Sequence, residues 1–355
     1  MREPAAPRRV LVVQLRRLGD VVLTTALLED LARAHPTARL DFLVGSAAAP
    51  LLLHHPLISN RMVFDPKRQV RMARAIRRRR YDWVIDVQGN PRTAMLTFAS
   101  SAAVRAGWRL RGWRVAYTHT LSRRGRAAEY VARERQRLLE LLGVQVGPAR
   151  PRLVLAPAER DRAEAAIRLA GAPARGDARR VAIVVSATDQ VRSWPVERFA
   201  ELARELAAAG EVPIVLRNPG DDERMVAFRA AAPSVLEIDT ENLRDLLGAL
   251  AACDTFVSVD TGPAHMATAL GVPRVTLFGS TDPAAWSPGP PAAADVRDPT
   301  APVRRTREWR GDERQSALLG IAVRDVLPAV QRQLALRGTT AELRDDGSPL
   351  PGTSR

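Results

Sequence analysis

The chain has 355 residues, 46% hydrophobic and 26% charged, which describes a globular protein long enough for two domains of ordinary size. No apolar run approaches the roughly 20 residues that cross a bilayer, and a single cysteine, Cys253, excludes an internal disulfide and a cysteine-cluster metal site. A net charge of +15 implies an anionic partner; no zinc-finger spacing or RNA-binding aromatic motif accompanies it, so the expected partner is an anionic membrane surface or a phosphorylated acceptor rather than nucleic acid.

The first residues run into a strand rather than a signal-peptide core, so the expected location is the cytoplasm, at the inner face of the membrane if the basic patches dock there. Val10–Gln14 reads as a strand, Leu15–Asp20 as a loop and Val21–Ala34 as a helix, with Asp20 at the junction. A strand at Leu40–Val44, a short helix at Ala47–His54 and a strand at Arg61–Phe64 follow. A strongly basic helix, Arg68–Arg80, then feeds a fourth strand, Trp83–Val87, which ends in Gln88-Gly89-Asn90-Pro91 ahead of a helix Arg92–Ser101. Strands and helices alternating at this spacing predict a parallel sheet covered on both faces, with ligands at the carboxyl ends of the strands.

Arg105–Arg137 differs, because Trp108, Trp113 and Tyr117 are interleaved with seven arginines that include Arg109 and Arg123. It reads as a partly irregular basic surface, either a solvated charged face over core aromatics or a binding surface. A helix at Glu129–Leu142, an extended stretch at Val146–Pro157 and a helix at Glu159–Ala170 lead to the linker Gly171–Asp177. The expected domains are residues 1–171 and 172–337, with a disordered tail at 338–355.

In the second domain, strands are expected at Val181–Val185, Val212–Leu216, Val235–Ile238, Thr255–Val259 and Val275–Phe278, with helices at Val196–Ala209, Leu243–Ala252 and Ser316–Leu336. Thr255–Val259 passes through Asp260-Thr261-Gly262 into a helix opened by Pro263 and stopped at Gly271. At such a turn free N–H groups and the helix dipole favour an anion, and Gly262 lets it approach closely. A plain capping turn is the bland alternative; His265, one turn inside that helix, is expected neutral.

Several chemistries lack their motifs. There is no Gly-x-Gly-x-x-Gly after Val13 or Val185, no Gly-Lys-Ser/Thr loop, no Asp-x-Asp pair and no Gly-x-Ser-x-Gly. Two α/β domains remain, one carrying an anion-binding turn, as for a nucleotide-activated donor and an acceptor meeting in a cleft.

The motifs Leu18-Gly19-Asp20-Val21, Tyr81–Asn90, Arg192-Ser193-Trp194-Pro195, Val257–His265 and Leu277–Pro283 together resemble glycosyltransferase family 9, the heptosyltransferases. The resemblance implies an α/β GT-B fold, two Rossmann-like parallel domains facing each other across a cleft. It also implies an inverting, metal-independent transfer of a heptose from ADP-heptose to a lipopolysaccharide-core or similar anionic glycolipid acceptor, with no cofactor. Asp20 corresponds to the general base, which suits a carboxylate able to take a proton from an acceptor hydroxyl; its bland role is a helix N-cap. Arg192 stands where the family usually carries a phosphate-binding lysine, replacing a compact ammonium with a planar fork. Thr188 matches a hydroxyl of the same loop.

The donor candidates are Thr188, Arg192, Asp222, Asp260, Thr261, Gly262 and His265. Asp260 is expected on a sugar hydroxyl or neighbouring backbone, and Asp222 on a ribose hydroxyl or merely at a helix start. Gly19, Gln88, Asn90, Arg109 and Arg123 are the acceptor candidates, and no metal ligands are expected. A transferase with another nucleotide sugar, a noncatalytic glycan- or lipid-surface-binding protein of the same fold, and a sugar-nucleotide epimerase are the alternatives.

Overall fold

The structure is a computed structural model that describes residues 4–123, 128–176, 178–186, 190–303 and 317–336. The chain forms two compact units: residues up to Glu159 with Asp282–Pro288, and Arg160–Thr281 with the residues from Gly289 onward.

The first unit is built on six parallel strands: β1 Arg9–Val13, β2 Arg39–Gly45, β3 Asn60–Phe64, β4 Trp83–Asp86, β5 Val104–Trp108 and β6 His119–Leu121. Their order is β3-β2-β1-β4-β5-β6. The chain therefore winds outward from β1 to one edge, returns to β4 and winds to the other edge, which leaves a switch point between β1 and β4. Val13 stands in register with Asp86 there. Helix α1 (Leu18–Thr24) and helix α2 (Ala26–Ala34) follow β1; α3 (Gln69–Arg78) and α4 (Pro91–Ala99) flank β4; α5 (Val131–Glu140) comes last. Right-handed crossovers put α3 and α4 side by side on one face, while α5 packs against α1 and α2 on the other.

The second unit repeats the plan with β7 Arg180–Val184, β8 Val212–Arg217, β9 Leu236–Asp239, β10 Thr255–Val259, β11 Arg274–Phe278 and β12 Ala293–Arg297, ordered β12-β11-β10-β7-β8-β9. Its switch point lies between β7 and β10, where Ser258 pairs with Val184. Its helices are α6 (Pro157–Leu169), α7 (Val196–Ala208), α8 (Asp222–Ala231), α9 (Leu243–Ala251) and α10 (Gly262–Ala269), followed late in the chain by Val323–Ala335. Ile183, Val257 and Leu277 from the sheet bury against Phe199, Leu202 and Leu206 of α7 and against Val326, Val330 and Leu334. Strands buried on both faces explain the near-continuous apolar runs.

Five local expectations need correction. The helix expected over Val21–Ala34 is two helices, because the Thr25 hydroxyl donates to the Val22 carbonyl (2.6 Å) and takes an acceptor from the helical ladder. The stretch Ala47–His54 is a 3-10 helix over Ser46–Leu52, with Pro50 inside it. The segment after Arg105, expected to be partly irregular, contains β5 and β6 before the expected helix α5, with Trp108 and Tyr117 buried. β12 is not among the expected strands because Ala293-Ala294-Asp295 has low strand propensity and is held by pairing with β11. The last helix starts at Val323; Ser316, its expected first residue, lies outside the described residues.

Candidate active site

At the first switch point the chain leaves β1 through Leu15, Arg16 and Arg17. The Gln88 Oε1 after β4 accepts the N–H groups of Leu15 (2.8 Å) and Arg16 (3.3 Å), so one strand end holds the other's loop. Arg17 sits at φ 55°, a conformation that costs a non-glycine residue on the order of 1 kcal/mol and that surrounding contacts must impose. Helix α1 begins at once, and Asp20 falls in its first turn rather than at its N-cap. The bland role of Asp20 as the cap is thus not the one it has.

Asp20 is instead gripped by a residue the sequence reading missed. Arg135, on the inner face of α5 with Ala132, Gln136, Leu138 and Leu139, is buried. Its guanidinium donates to the Asp20 carboxylate, to the Asp20 carbonyl and to the Thr24 hydroxyl (2.9 Å). Burial pushes the Arg135 pKa down, and the Asp20 charge opposes that shift. The side chain of Asp20 keeps 20% exposure, so one side of the carboxylate remains open. The available signal was positional: an arginine spaced i+3 from Ala132 and i−3 from Leu138 lies on the apolar stripe of an amphipathic helix.

The other acceptor candidates take various places. Gly19 is in the first turn of α1. Asn90 is the N-cap of α4, where its side chain accepts the Thr93 N–H (3.0 Å) and the Thr93 hydroxyl accepts the Asn90 N–H (3.1 Å). Arg123 stacks on Trp108 with its guanidinium carbon 4.3 Å from the ring centroid and donates to the Val87 carbonyl (3.1 Å). Its pKa is pushed down by burial, with Glu134, Asp20 and Asp86 acting the other way, so it belongs to the same electrostatic neighbourhood as Asp20. Arg109 is exposed on the chain beyond Trp108, its backbone N–H bonded to the Leu121 carbonyl.

Beneath this edge lies Asp86, fully buried at the end of β4; it accepts the Tyr117 hydroxyl (2.7 Å) and the Gly89 N–H (2.9 Å). Burial raises its pKa against those hydrogen bonds. Gly89 turns at φ +63°, and a Cβ there would meet the Trp108 ring at 2.9 Å, so this turn requires glycine.

At the second switch point Asp260 follows β10, and Thr261 is the N-cap of α10. Thr261 makes no side-chain cap; its hydroxyl donates back to the Val259 carbonyl (3.3 Å). Pro263 has no N–H and the Ala264 N–H goes to the Thr261 carbonyl (3.1 Å), so in this first turn it is the Gly262 N–H that has no side-chain cap, unlike the start of α9, which Asn242 caps. The Asp260 carboxylate is buried, accepts the Thr281 hydroxyl (2.8 Å), and stands 3.7 Å from an Arg192 nitrogen and 4.0 Å from the His265 Nε2. Burial raises its pKa; Thr281, Arg192 and Arg274 oppose the rise.

Arg192 comes from the loop after β7, anchored two residues on by Trp194, whose Nε1 donates to the Ile321 carbonyl (2.9 Å) and whose ring meets Phe199 edge-on. Ser280, after β11, is buried with no hydrogen-bond partner for its hydroxyl among the described residues. The structure therefore brings Arg192, Asp260, Thr261, Gly262 and His265 together. Asp222 opens α8, largely exposed, in an ion pair with Arg217 (2.8 Å). Thr188 lies outside the described residues.

The family model for glycosyltransferase family 9 (heptosyltransferase) matches residues 69–308. The chain belongs to glycosyltransferase family 9. It is 28% identical over 294 residues to lipopolysaccharide heptosyltransferase 1 of Escherichia coli K12, a match that covers 78% of this chain and 89% of the relative. Among solved structures, a family 9 glycosyltransferase from Veillonella parvula superposes with a TM-score of 0.80 at 22% identity, covering 92% and 97% of the two chains. An E. coli heptosyltransferase solved with ADP gives 0.71 at 21% identity, covering 92% and 99%. The chain is a glycosyltransferase with the GT-B fold, and the resemblance drawn from its motifs holds.

Proposed function

We propose that this family 9 enzyme transfers a heptose, or a closely related sugar, from ADP-heptose to a lipopolysaccharide-core or similar anionic glycolipid, with inversion and without a metal ion or cofactor. The observation that carries the donor half is the convergence of Arg192, the uncapped start of α10 and the Asp260 carboxylate at one switch point, in a chain similar to a heptosyltransferase solved with ADP.

In the proposed step an acceptor hydroxyl oxygen attacks the anomeric carbon as its bond to the diphosphate oxygen breaks, which inverts the centre. The hydroxyl proton passes to Asp20, which Arg135 holds in a fixed direction. ADP leaves with the bonding electrons, and its added charge is met by Arg192 and the Thr261 and Gly262 N–H groups. These groups supply the positive field that a metal provides in other transferases, which is the reason for proposing metal-free transfer. Asp260 serves as the resting partner of Arg192 and as an acceptor for a sugar hydroxyl.

Acceptor binding by Arg109 and Arg123, and attachment to the inner face of the cytoplasmic membrane through basic patches, belong to the same proposal. No helix among the described residues is long and apolar enough to cross a membrane.

Calorimetric titration with ADP, UDP and GDP, for wild type and Arg192→Ala, tests the donor. ADP-selective binding lost in the variant is expected. Selective UDP or GDP binding would overturn the heptose donor while leaving a transferase, and binding of none would favour a noncatalytic glycan- or lipid-surface-binding role.

A further inference from the structure

We infer that one sheet face of the first unit, made by α3, α4 and the 3-10 helix Arg114–Ala116, docks on a bilayer rich in acidic headgroups, with Phe98 at the centre of the contact. The inference rests on the proposed glycolipid acceptor for its purpose, although the surface is defined by its own chemistry.

The charge of the chain is concentrated in the stretch of sequence that carries these elements. Residues 66–128 hold sixteen Lys and Arg against two Asp, a net +14 of the chain's +15, so the other 292 residues are close to neutral. Both carboxylates in that stretch are occupied: Asp82 accepts the N–H groups of Arg8 and Arg9 (2.8 Å each), and Asp86 is buried under Tyr117 and Gly89. No exposed acid within the stretch offsets the field.

The structure places five of these cations, Arg71, Arg74, Arg78, Arg111 and Arg114, exposed on these elements and the turn beside them. On α3, Met72, Ala73, Ala75 and Ile76 pack on the sheet, leaving Arg71, Arg74 and Arg78 in an exposed stripe at i, i+3 and i+7. The end of α3 is tied to the end of α4 by a hydrogen bond from Arg77 to the Ser101 hydroxyl. Beside α4 lies the Arg114–Ala116 turn, with Arg111 and Arg114 exposed.

Charge alone would suit any polyanion; the apolar side chains among it do not. Of the nine large hydrophobic residues exposed among the described residues, four are on these three elements: Val70 (66% exposed), Met95 (36%), Phe98 (55%) and Val115 (73%). Phe98 is the only aromatic of the nine. Aliphatic and aromatic side chains ringed by arginine match a bilayer interface, where the cations meet headgroups and the apolar groups enter the acyl boundary. A nucleic acid would use the cations and leave Val70, Met95 and Val115 in water. Each arginine brought to an acidic surface strengthens binding about fivefold, a gain that salt screens, whereas the apolar share resists salt.

The same helix connects this face to the reaction edge. α4 runs from its Asn90 cap, two residues after the Gln88 that holds the Asp20 loop, down to Phe98. A glycolipid held in the bilayer would present its headgroup along that helix.

The test is co-sedimentation of the full chain with vesicles of phosphatidylcholine alone and with about one-third phosphatidylglycerol. Binding is expected only to the acidic vesicles. The triple change Arg71→Glu, Arg74→Glu, Arg78→Glu should weaken it more than about tenfold, and Phe98→Ser should remove the part that survives high salt. The matched change Arg160→Glu, Arg162→Glu, Arg168→Glu on exposed positions of α6 should leave binding largely intact.

Equal loss in both triple variants would overturn the assignment of the face. So would equal binding to neutral vesicles, or binding to duplex DNA with none to vesicles. Should the α3 variant not fold, a dye on Phe98→Cys, selective because Cys253 is buried, must shift its emission on acidic vesicles; an unchanged spectrum would overturn the contact. Vesicle binding needs neither donor nor turnover, so a failure here leaves the ADP titration standing, and a failed titration leaves this result standing.

Discussion

The two switch points share a strand order and differ in how each carboxylate is paired. In the first unit Asp20 is closed by Arg135, a buried guanidinium that bonds the carboxylate and the carbonyl of the same residue. In the second, Asp260 is the buried partner, and Arg192 stands off at 3.7 Å. A pair closed by several hydrogen bonds fixes a direction, which is what a base needs. A looser pair beside an uncapped helix start leaves room for a third, negative group, which is what a diphosphate site needs. The same topology thus yields a rigid edge and a receptive one.

The sharpest way to break that contrast is Asp20→Asn, which keeps the shape and removes the base. Loss of general-base assistance predicts a fall of about 10²–10⁴ in kcat with ADP-heptose and a core acceptor; a change of only a few-fold would remove Asp20 from the chemistry. Arg192→Ala should follow with roughly 10²–10³ in kcat/KM, since one donor to the leaving group is lost. Arg192→Lys should restore much of it, as a point charge at the same place.

Arg135→Met should cost about 3 kcal/mol in chemical denaturation, toward the lower end for a broken buried pair because Asp20 is partly exposed. Unlike a purely structural lesion, it should also change the pH dependence of kcat.

A smaller effect separates structural from reactive ionisation. His55 is buried with neither ring nitrogen hydrogen-bonded among the described residues, and burial, aided by Arg152, lowers its pKa to about 4. Protons then bind the unfolded chain more readily. The His55 contribution to stability is present above pH 6.5 and falls away down to about pH 4. Replacement by Met should flatten melting temperature over that window; an unchanged slope would show that His55 is not the group responsible. Least affected is Cys253, whose buried thiol is pushed up to about 12. It should resist alkylation in the folded protein and react once unfolded, as mass spectrometry would show.

Much of this was legible from residue order, for identifiable reasons. Apolar runs such as Val10–Val13 and Thr255–Val259 bury on both faces, so composition alone marks them as parallel strands. The turns after them announced themselves through Gly and Pro. β5, β6 and β12 were hidden because their stability comes from neighbouring strands rather than from their own residues.

At the sites, residues contributed by the strand-end loops were readable and those contributed from across the fold were not. Arg135 is 115 positions from Asp20, and only packing of α5 on α1 joins them. For Asp222 the sequence showed a carboxylate beside a strand end, and the fold adds its exposed ion pair with Arg217.

The division of labour between the two edges is tested most directly by titrating ADP into wild type, Asp20→Asn and Arg192→Ala side by side. The expected result is wild-type affinity in Asp20→Asn and a loss of about tenfold or more in Arg192→Ala. Equal weakening in both variants, or weakening in Asp20→Asn alone, would contradict a base on the first edge and a diphosphate site on the second.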